Sequence, residues 1–144
     1  MTIKTLKCKV TDPKYTPTRA HPGDAGLDLK AAESAMVLAG DYETLETGVI
    51  VEIPEGYVGL VCARSGNAAR NGIGMVNGVG VIDSGYRGPI NVILANHGDT
   101  IFCISKGDRI AQLLIVPIET PNVEVVDELS DSERGNGGLG STGR

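Results

Sequence analysis

Gly48-Val49-Ile50-Val51-Glu52-Ile53-Pro54-Glu55-Gly56-Tyr57-Val58-Gly59-Leu60-Val61-Cys62 is the stretch that decides the fold class. Two short apolar runs, 48–53 and 57–62, carry the Val and Ile side chains that favour a pleated, half-buried surface. Pro54-Glu55-Gly56 between them supplies the preset φ and the permissive glycine that a tight connection needs. The arrangement repeats outward in both directions. Leu6, Cys8 and Val10 alternate with Lys7 and Lys9, the period-2 pattern of a strand with one buried face. Further strands are expected at 36–38, 78–82, 90–95, 100–104, 109–116 and 123–126, with Asn77-Gly78, Asp83-Ser84-Gly85 and His97-Gly98-Asp99 at connections. Strands this short and closely spaced predict an all-β domain: a sandwich, a jelly roll or a distorted barrel. One short helix fits, with Ser65 capping residues 66–70 and Gly72 ending it in a left-handed conformation.

A chain of 144 residues suits a single domain. With 20 Gly, 7 Pro, no Trp and one Phe (Phe102), its core must be built from small branched side chains. The formal charge of −5 provides no global positive field, so nucleic acid and anionic membranes are not expected partners. A polyanionic ligand would need local cations or a metal ion. Cys8, Cys62 and Cys103 are widely spaced in apolar surroundings and read as reduced core thiols of a cytoplasmic protein. No stretch approaches the ~20 apolar residues of a membrane span. Composition shifts only at 130–144, which is polar and glycine-rich and is expected to be disordered in isolation. The expected organisation is a β domain over 1–133 and a flexible segment over 134–144.

Several short segments hold groups suited to phosphate chemistry. Ala63-Arg64-Ser65-Gly66 brings a guanidinium, a hydroxyl and helix-start N–H groups together, although in isolation Ser65 as a helix cap and Arg64 as a surface charge is the better reading. Gly80-Val81-Ile82-Asp83-Ser84-Gly85-Tyr86-Arg87-Gly88 is expected to form a hairpin turn in which Asp83 could activate water and Tyr86 could cover a sugar. Asp24 and Asp28 lie on a loop running into a strand, and Gln112 is a lone amide among apolar neighbours. The tail Arg134-Gly135-Asn136-Gly137-Gly138-Leu139-Gly140-Ser141-Thr142-Gly143 offers one arginine, two hydroxyls and many approachable N–H groups, but it lacks the Lys-Ser/Thr ending of a P-loop.

In order and spacing, PGDAGLDL (22–29), RSGNAARNGI (64–73), NGVGVIDSGYRG (77–88), GDRIAQLLI (107–115) and RGNGGLGSTG (134–143) resemble the five motifs of the trimeric dUTPase family. The departures are Ala63 where the family usually has Pro, Pro89 where it has an acidic residue, and Leu139 where it carries a uracil-stacking aromatic.

The resemblance implies a homotrimeric jelly roll that hydrolyses dUTP to dUMP and pyrophosphate, limiting uracil incorporation into DNA and supplying dUMP for thymidylate synthesis. It implies Asp83 as the water-activating base. It implies a nucleoside pocket formed by Asn77, Val81, Ile82 and Tyr86 of one chain, and phosphate contacts from Arg64, Ser65, Gly66 and Gln112 of a neighbour. Arg134, Leu139, Gly140 and Ser141 of a third chain would close as a lid. Mg²⁺ would ride on the phosphates and water, with Asp28 and Gln112 at most in its outer sphere and no direct protein ligand. Two other readings share the scaffold. A dCTP deaminase would need a glutamate where this chain has Ile93, and a non-catalytic nucleotide-binding regulator would have no need of Asp83 alongside Arg64, Ser65 and Arg134.

Overall fold

Pairing of the Val/Ile-rich runs gives eleven strands in the computed structural model, which describes residues 3–143. They are β1 (Lys7–Val10), β2 (Leu27–Lys30), β3 (Ala35–Val37), β4 (Tyr42–Glu46), β5 (Val49–Glu52), β6 (Tyr57–Cys62), β7 (Ile73–Met75), β8 (Gly80–Ile82), β9 (Asn91–Asn96), β10 (Phe102–Ile104) and β11 (Arg109–Pro117). A 3-10 turn at Pro13–Tyr15 and one α-helix, α1 (Ser65–Asn71), complete the elements. The sheets are small: β2-β11-β6-β8, β4-β9-β7, and the two-stranded ribbons β1-β5 and β3-β10. All pairings are antiparallel, as expected of a distorted jelly roll.

Inward-facing positions of these sheets make one core. Leu29, Leu45, Val49, Val61, Leu94, Ile110 and Leu113 are essentially inaccessible to solvent. Tyr15, at the end of the 3-10 turn, is the one buried aromatic, and its hydroxyl donates to the Ala32 carbonyl. Asp12 caps that turn by accepting from the Lys14 N–H at 3.0 Å. This backbone bond, opposed by desolvation and aided by the Lys14 ammonium, holds the Asp12 carboxyl below its ordinary range.

Asn96 joins three segments. Its buried amide donates to the carbonyls of Val37 (2.9 Å) and Thr100 (2.8 Å), and its oxygen accepts from the Gly98 N–H (3.0 Å). Asn96 thereby ties β9 to β3 and to the approach to β10. A buried polar group with every partner present rigidifies the site it occupies.

Several elements differ from the sequence-based expectation. Ser65 is not the helix cap: Arg64 occupies that position in extended conformation with no side-chain cap bond, and Ser65 is the first helical residue. Gly72 does end α1 as expected, at φ 66°, a conformation that a Cβ would strain. The cysteines are not core thiols. Cys8 and Cys103 are exposed and Cys62 is half-buried, because β1 is paired on one side only and β10 turns Cys103 to the outer face beside Met36. Segment 123–126 is not a strand among the described residues, and Val123 and Val125 are more than nine-tenths exposed. Its alternation supplies propensity, but it pairs with no strand among the described residues. Strands β4 and β7 were not anticipated: the first is glutamate-rich with only Leu45 buried, and the second is three residues long with a central glycine.

Asn96→Ala removes one buried and two partly buried hydrogen bonds at once and is expected to cost about 2–4 kcal/mol, since stranded partners away from water each carry a desolvation penalty. Urea unfolding with an unchanged slope checks this, with Cys103→Ser as an exposed control expected to fall within about 0.5 kcal/mol of the parent.

Candidate functional site

Two separate clefts gather the candidate residues. The first, about 340 Å³, is lined by Asp24, Gly26, Asp28, Arg64, Ser65, Gly66 and Gln112. Its floor is the ladder in which Gln112 of β11 lies opposite both Asp28 of β2 and Cys62 of β6. Where β6 ends, the chain passes through Arg64 into α1, whose first N–H groups have no side-chain cap. Those donors and the positive end of the helix suit an anion.

The polar groups in this cleft are fixed by one another. The Gln112 amide donates to the Ala63 carbonyl at 3.0 Å. Gly26 allows this, because a Cβ there would run into the Gln112 carboxamide oxygen. The Asp28 carboxylate lies between two guanidinium groups, Arg64 Nε at 3.3 Å and Arg109 Nη1 at 3.4 Å. The Arg109 carbonyl in turn accepts from Arg64 Nη1 and Asn67 Nδ2, each at 3.4 Å. Arg109 received no role from the sequence, although it lies inside the fourth quoted motif. A charged residue opening a strand reads as a surface position until Asp28 is seen across the ladder.

The second cleft, about 260 Å³, brings together Asn77, Val81, Ile82, Asp83 and Tyr86. Asp83 follows β8 in a tight turn closed by the Tyr86 N–H donating to the Asp83 carbonyl at 3.0 Å. The Tyr86 hydroxyl donates to the Pro89 carbonyl (3.0 Å), and Arg87 donates to the carbonyls of Ser84 and Tyr86, so the turn is braced from both sides. The expected hairpin is a correction here. Strand β8 pairs with β6, whereas β9 pairs with β4 and β7, so residues 83–90 cross from one sheet to another. Pro89 has no N–H to give to a ladder, and Ile90 instead donates to the Val49 carbonyl.

Sheet register sets how far apart the two clefts lie. Ile82 faces Gly59 across β6, and Arg64 is five residues further along that chain. At ~3.3 Å per residue, Asp83 and Arg64 of one chain are separated by roughly 16 Å or more. The tail enters neither cleft. Its backbone hydrogen bonds are local turns such as Gly137 to Arg134, Arg134 Nε donates to the Gly137 carbonyl, and Leu139 is fully exposed. The structure therefore does not bring Arg134, Leu139, Gly140 and Ser141 to the other candidates within one chain. Residue 144 lies outside the described residues. No helix among the described residues is long and apolar enough to cross a membrane.

Comparison with known proteins is consistent from end to end. Residues 12–143 match the family model described as dUTPase. The deoxyuridine 5'-triphosphate nucleotidohydrolase of Clostridium tetani is 44% identical over the whole of both chains. That of Cutibacterium acnes is 49% identical over 93% of this chain and 89% of its own. Among solved structures, a mutant Staphylococcus bacteriophage 80alpha dUTPase with dUpNHpp superposes with a TM-score of 0.91 at 34% identity, covering 99% of this chain and all of the other. The dUTPase of S. aureus phage phi11, described with a structural Mg(II) ion, superposes with a TM-score of 0.80 at 30% identity, covering 88% of this chain and 99% of its own.

Gly26→Ala forces the Gln112 carboxamide aside and breaks its bond to Ala63, while the clash falls on the far end of a flexible side chain. The expected outcome is a melting temperature within a few degrees of the parent and at least a ~10-fold loss of triphosphate affinity, on the scale of one misplaced charge-assisted contact. Calorimetric unfolding and ligand titration measure the two separately.

Proposed function

Because this chain belongs to the dUTPase family, it is a dUTP nucleotidohydrolase, and we propose that it splits dUTP into dUMP and pyrophosphate at sites divided between copies of a homotrimer. One observation carries the division. Asp83 and Arg64 stand towards opposite ends of β6 and line clefts that have no residue in common, so neither cleft of a single chain holds both groups. An active site with both groups at the α-phosphate needs the Asp83 cleft of one copy against the Arg64 cleft of another. The product serves thymidylate synthesis, and removal of dUTP keeps uracil out of DNA; the free thiols are compatible with the reducing setting of the cytoplasm.

In this reading the second cleft holds deoxyuridine. Main-chain groups of Val81, Ile82 and Asp83, with the Asn77 amide, pair with the uracil edge. Cytosine would present an amino donor where the acceptor O4 is expected and leave a buried group unpaired. Tyr86, held by its bond to Pro89, packs against the sugar and leaves no room for a 2′-hydroxyl. Asp83 orients a water and takes its proton as the oxygen attacks the α-phosphorus in line. Arg64, the open N–H groups of Ser65 and Gly66, and Arg134 of the tail stabilise charge passing to pyrophosphate. The 134–144 segment acts as the lid, with Leu139, Gly140 and Ser141 covering the base and phosphates and excluding water.

The donor set fits a hard divalent ion carried by the substrate. Asp28, whose side chain is 14% accessible, is already engaged by Arg64 and Arg109, and its remaining reach is to water around the ion. Mg²⁺ when bound supplies charge neutralisation and fixes the triphosphate conformation. Asp28 and Gln112 orient its water shell.

Pyrophosphate release measured with dUTP, dCTP, dTTP and UTP tests the reading: dUTP is expected to be turned over at least ~10²-fold more efficiently than the others, on the scale of losing paired polar contacts. Comparable turnover of all four would overturn it. Asp83→Asn is expected to lower kcat at least ~10²-fold, the usual effect of losing a general base, while dUpNHpp still binds. Chains lacking residues from Arg134 onward should be equally inactive yet folded. Mixed with Asp83→Asn chains they should recover activity, because some mixed sites combine an intact Asp83 with an intact tail. A fully active monomer by light scattering would remove the division.

A further inference from the structure

We propose that Arg109 is a positioning residue of the phosphate half-site: its guanidinium balances Asp28 and leaves the charge of Arg64 free for the triphosphate. The inference rests on the dUTPase reading above and names a device that the reading does not contain.

Alone, the Arg64–Asp28 pair is a poor anion receptor. The two charges cancel, and an arginine held by a carboxylate at 3.3 Å has part of its fork occupied. Arg109 changes the balance by occupying the other carboxylate oxygen at 3.4 Å, so that the triad carries net positive charge. Without Arg109 the triad is reduced to a neutral pair, which in a protein of net charge −5 offers little field to draw in a polyanion. The main chain of Arg109 contributes separately, because its carbonyl accepts from Arg64 Nη1 and Asn67 Nδ2. Side chain and backbone of one residue thus hold the Arg64–Asp28 pair from two directions, the first through the carboxylate and the second through the guanidinium.

The sheet contains a local irregularity that makes this possible. In the β11–β2 ladder, Gln112 faces Asp28 and Ala111 faces Leu29, but Arg109 rather than Ile110 faces Lys30. One residue of β11 is therefore extra. In a regular strand Arg109 and Gln112, three apart, would point to opposite faces. The bulge restores them to one face, the face of Asp28, while Ile110 is 2% exposed in the core. Arg109 lines the neighbouring cleft of about 330 Å³ and not the phosphate cleft itself, so it acts on substrate through Asp28 and Arg64.

The test titrates dUpNHpp and dUMP into the trimer at fixed Mg²⁺ and salt. Arg109→Met should weaken dUpNHpp about 10-fold or more, as expected for a lost charged hydrogen bond, and leave dUMP within about twofold. In turnover KM should rise by more than kcat falls. Arg109→Lys should recover part of the affinity, since it restores charge without the planar fork. A merely structural Arg109 would lower dUpNHpp and dUMP affinity together and would not be rescued by a lysine that keeps only the charge. The inference is overturned if Arg109→Met binds dUpNHpp like the wild type, if dUMP affinity falls in parallel, or if Arg109→Lys brings no recovery. A wild-type chain that bound neither ligand would overturn this inference together with the dUTPase reading. Failure of the inference alone would show as wild type and Arg109→Met binding dUpNHpp equally.

Discussion

The antiparallel register of the β2-β11-β6-β8 sheet is the constraint on which the site depends. Gln112 can stand between Asp28 and Cys62 only in that alignment, and Arg64 then emerges where β6 runs out. The same alignment sets Ile82 opposite Gly59, which delivers Asp83 to the other end of the strand. A slip of one residue would turn Asp28 and Gln112 into the core and Leu29 and Leu113 into the cleft. Burial of those two leucines enforces the register, so core packing and site geometry rest on the same pairing.

Electrostatics then solves a problem posed by composition. An acidic chain has to receive a tetra-anionic ligand without a basic surface. Its answer is local: guanidinium groups fixed by carboxylates and carbonyls at 3.3–3.4 Å, beside N–H groups at a helix start. In a partly buried ion pair the desolvation cost offsets much of the Coulomb gain, and the Asp28 cluster is better understood as orientation than as glue. The stability of the domain lies with the aliphatic core and with buried polar joints such as Asn96.

Legibility in the sequence followed the physics of each element. Runs with Val and Ile between Pro/Gly turns, such as 57–62, were readable because propensity, period and turn chemistry agree there. Strand β4 was not, since its glutamates give no apolar signal and its place is set by pairing with β9. Segment 123–126 shows the reverse, with a strand-like pattern and no partner strand among the described residues. The cysteines misled because apolar neighbours in sequence do not determine which face an edge strand presents. The candidate site residues were legible through motif order, which carries no distances. Neither the gap between the two clefts nor the bulge that turns Arg109 towards Asp28 could be read from spacing, because both depend on which strands lie side by side.

The distance between the two clefts has a consequence for how the reaction ends. Under the proposed division, dUTP is a bivalent ligand: its nucleoside end belongs to one subunit and its phosphate end to another. Each end raises the effective concentration of the other, so whole substrate binds with avidity that neither half has alone. Hydrolysis at the α-phosphorus cuts the one covalent link between the halves. Each product is then a monovalent ligand, free to leave without waiting for the other. The register that separates Asp83 from Arg64 thus makes bond cleavage itself the step that loosens the enzyme's hold.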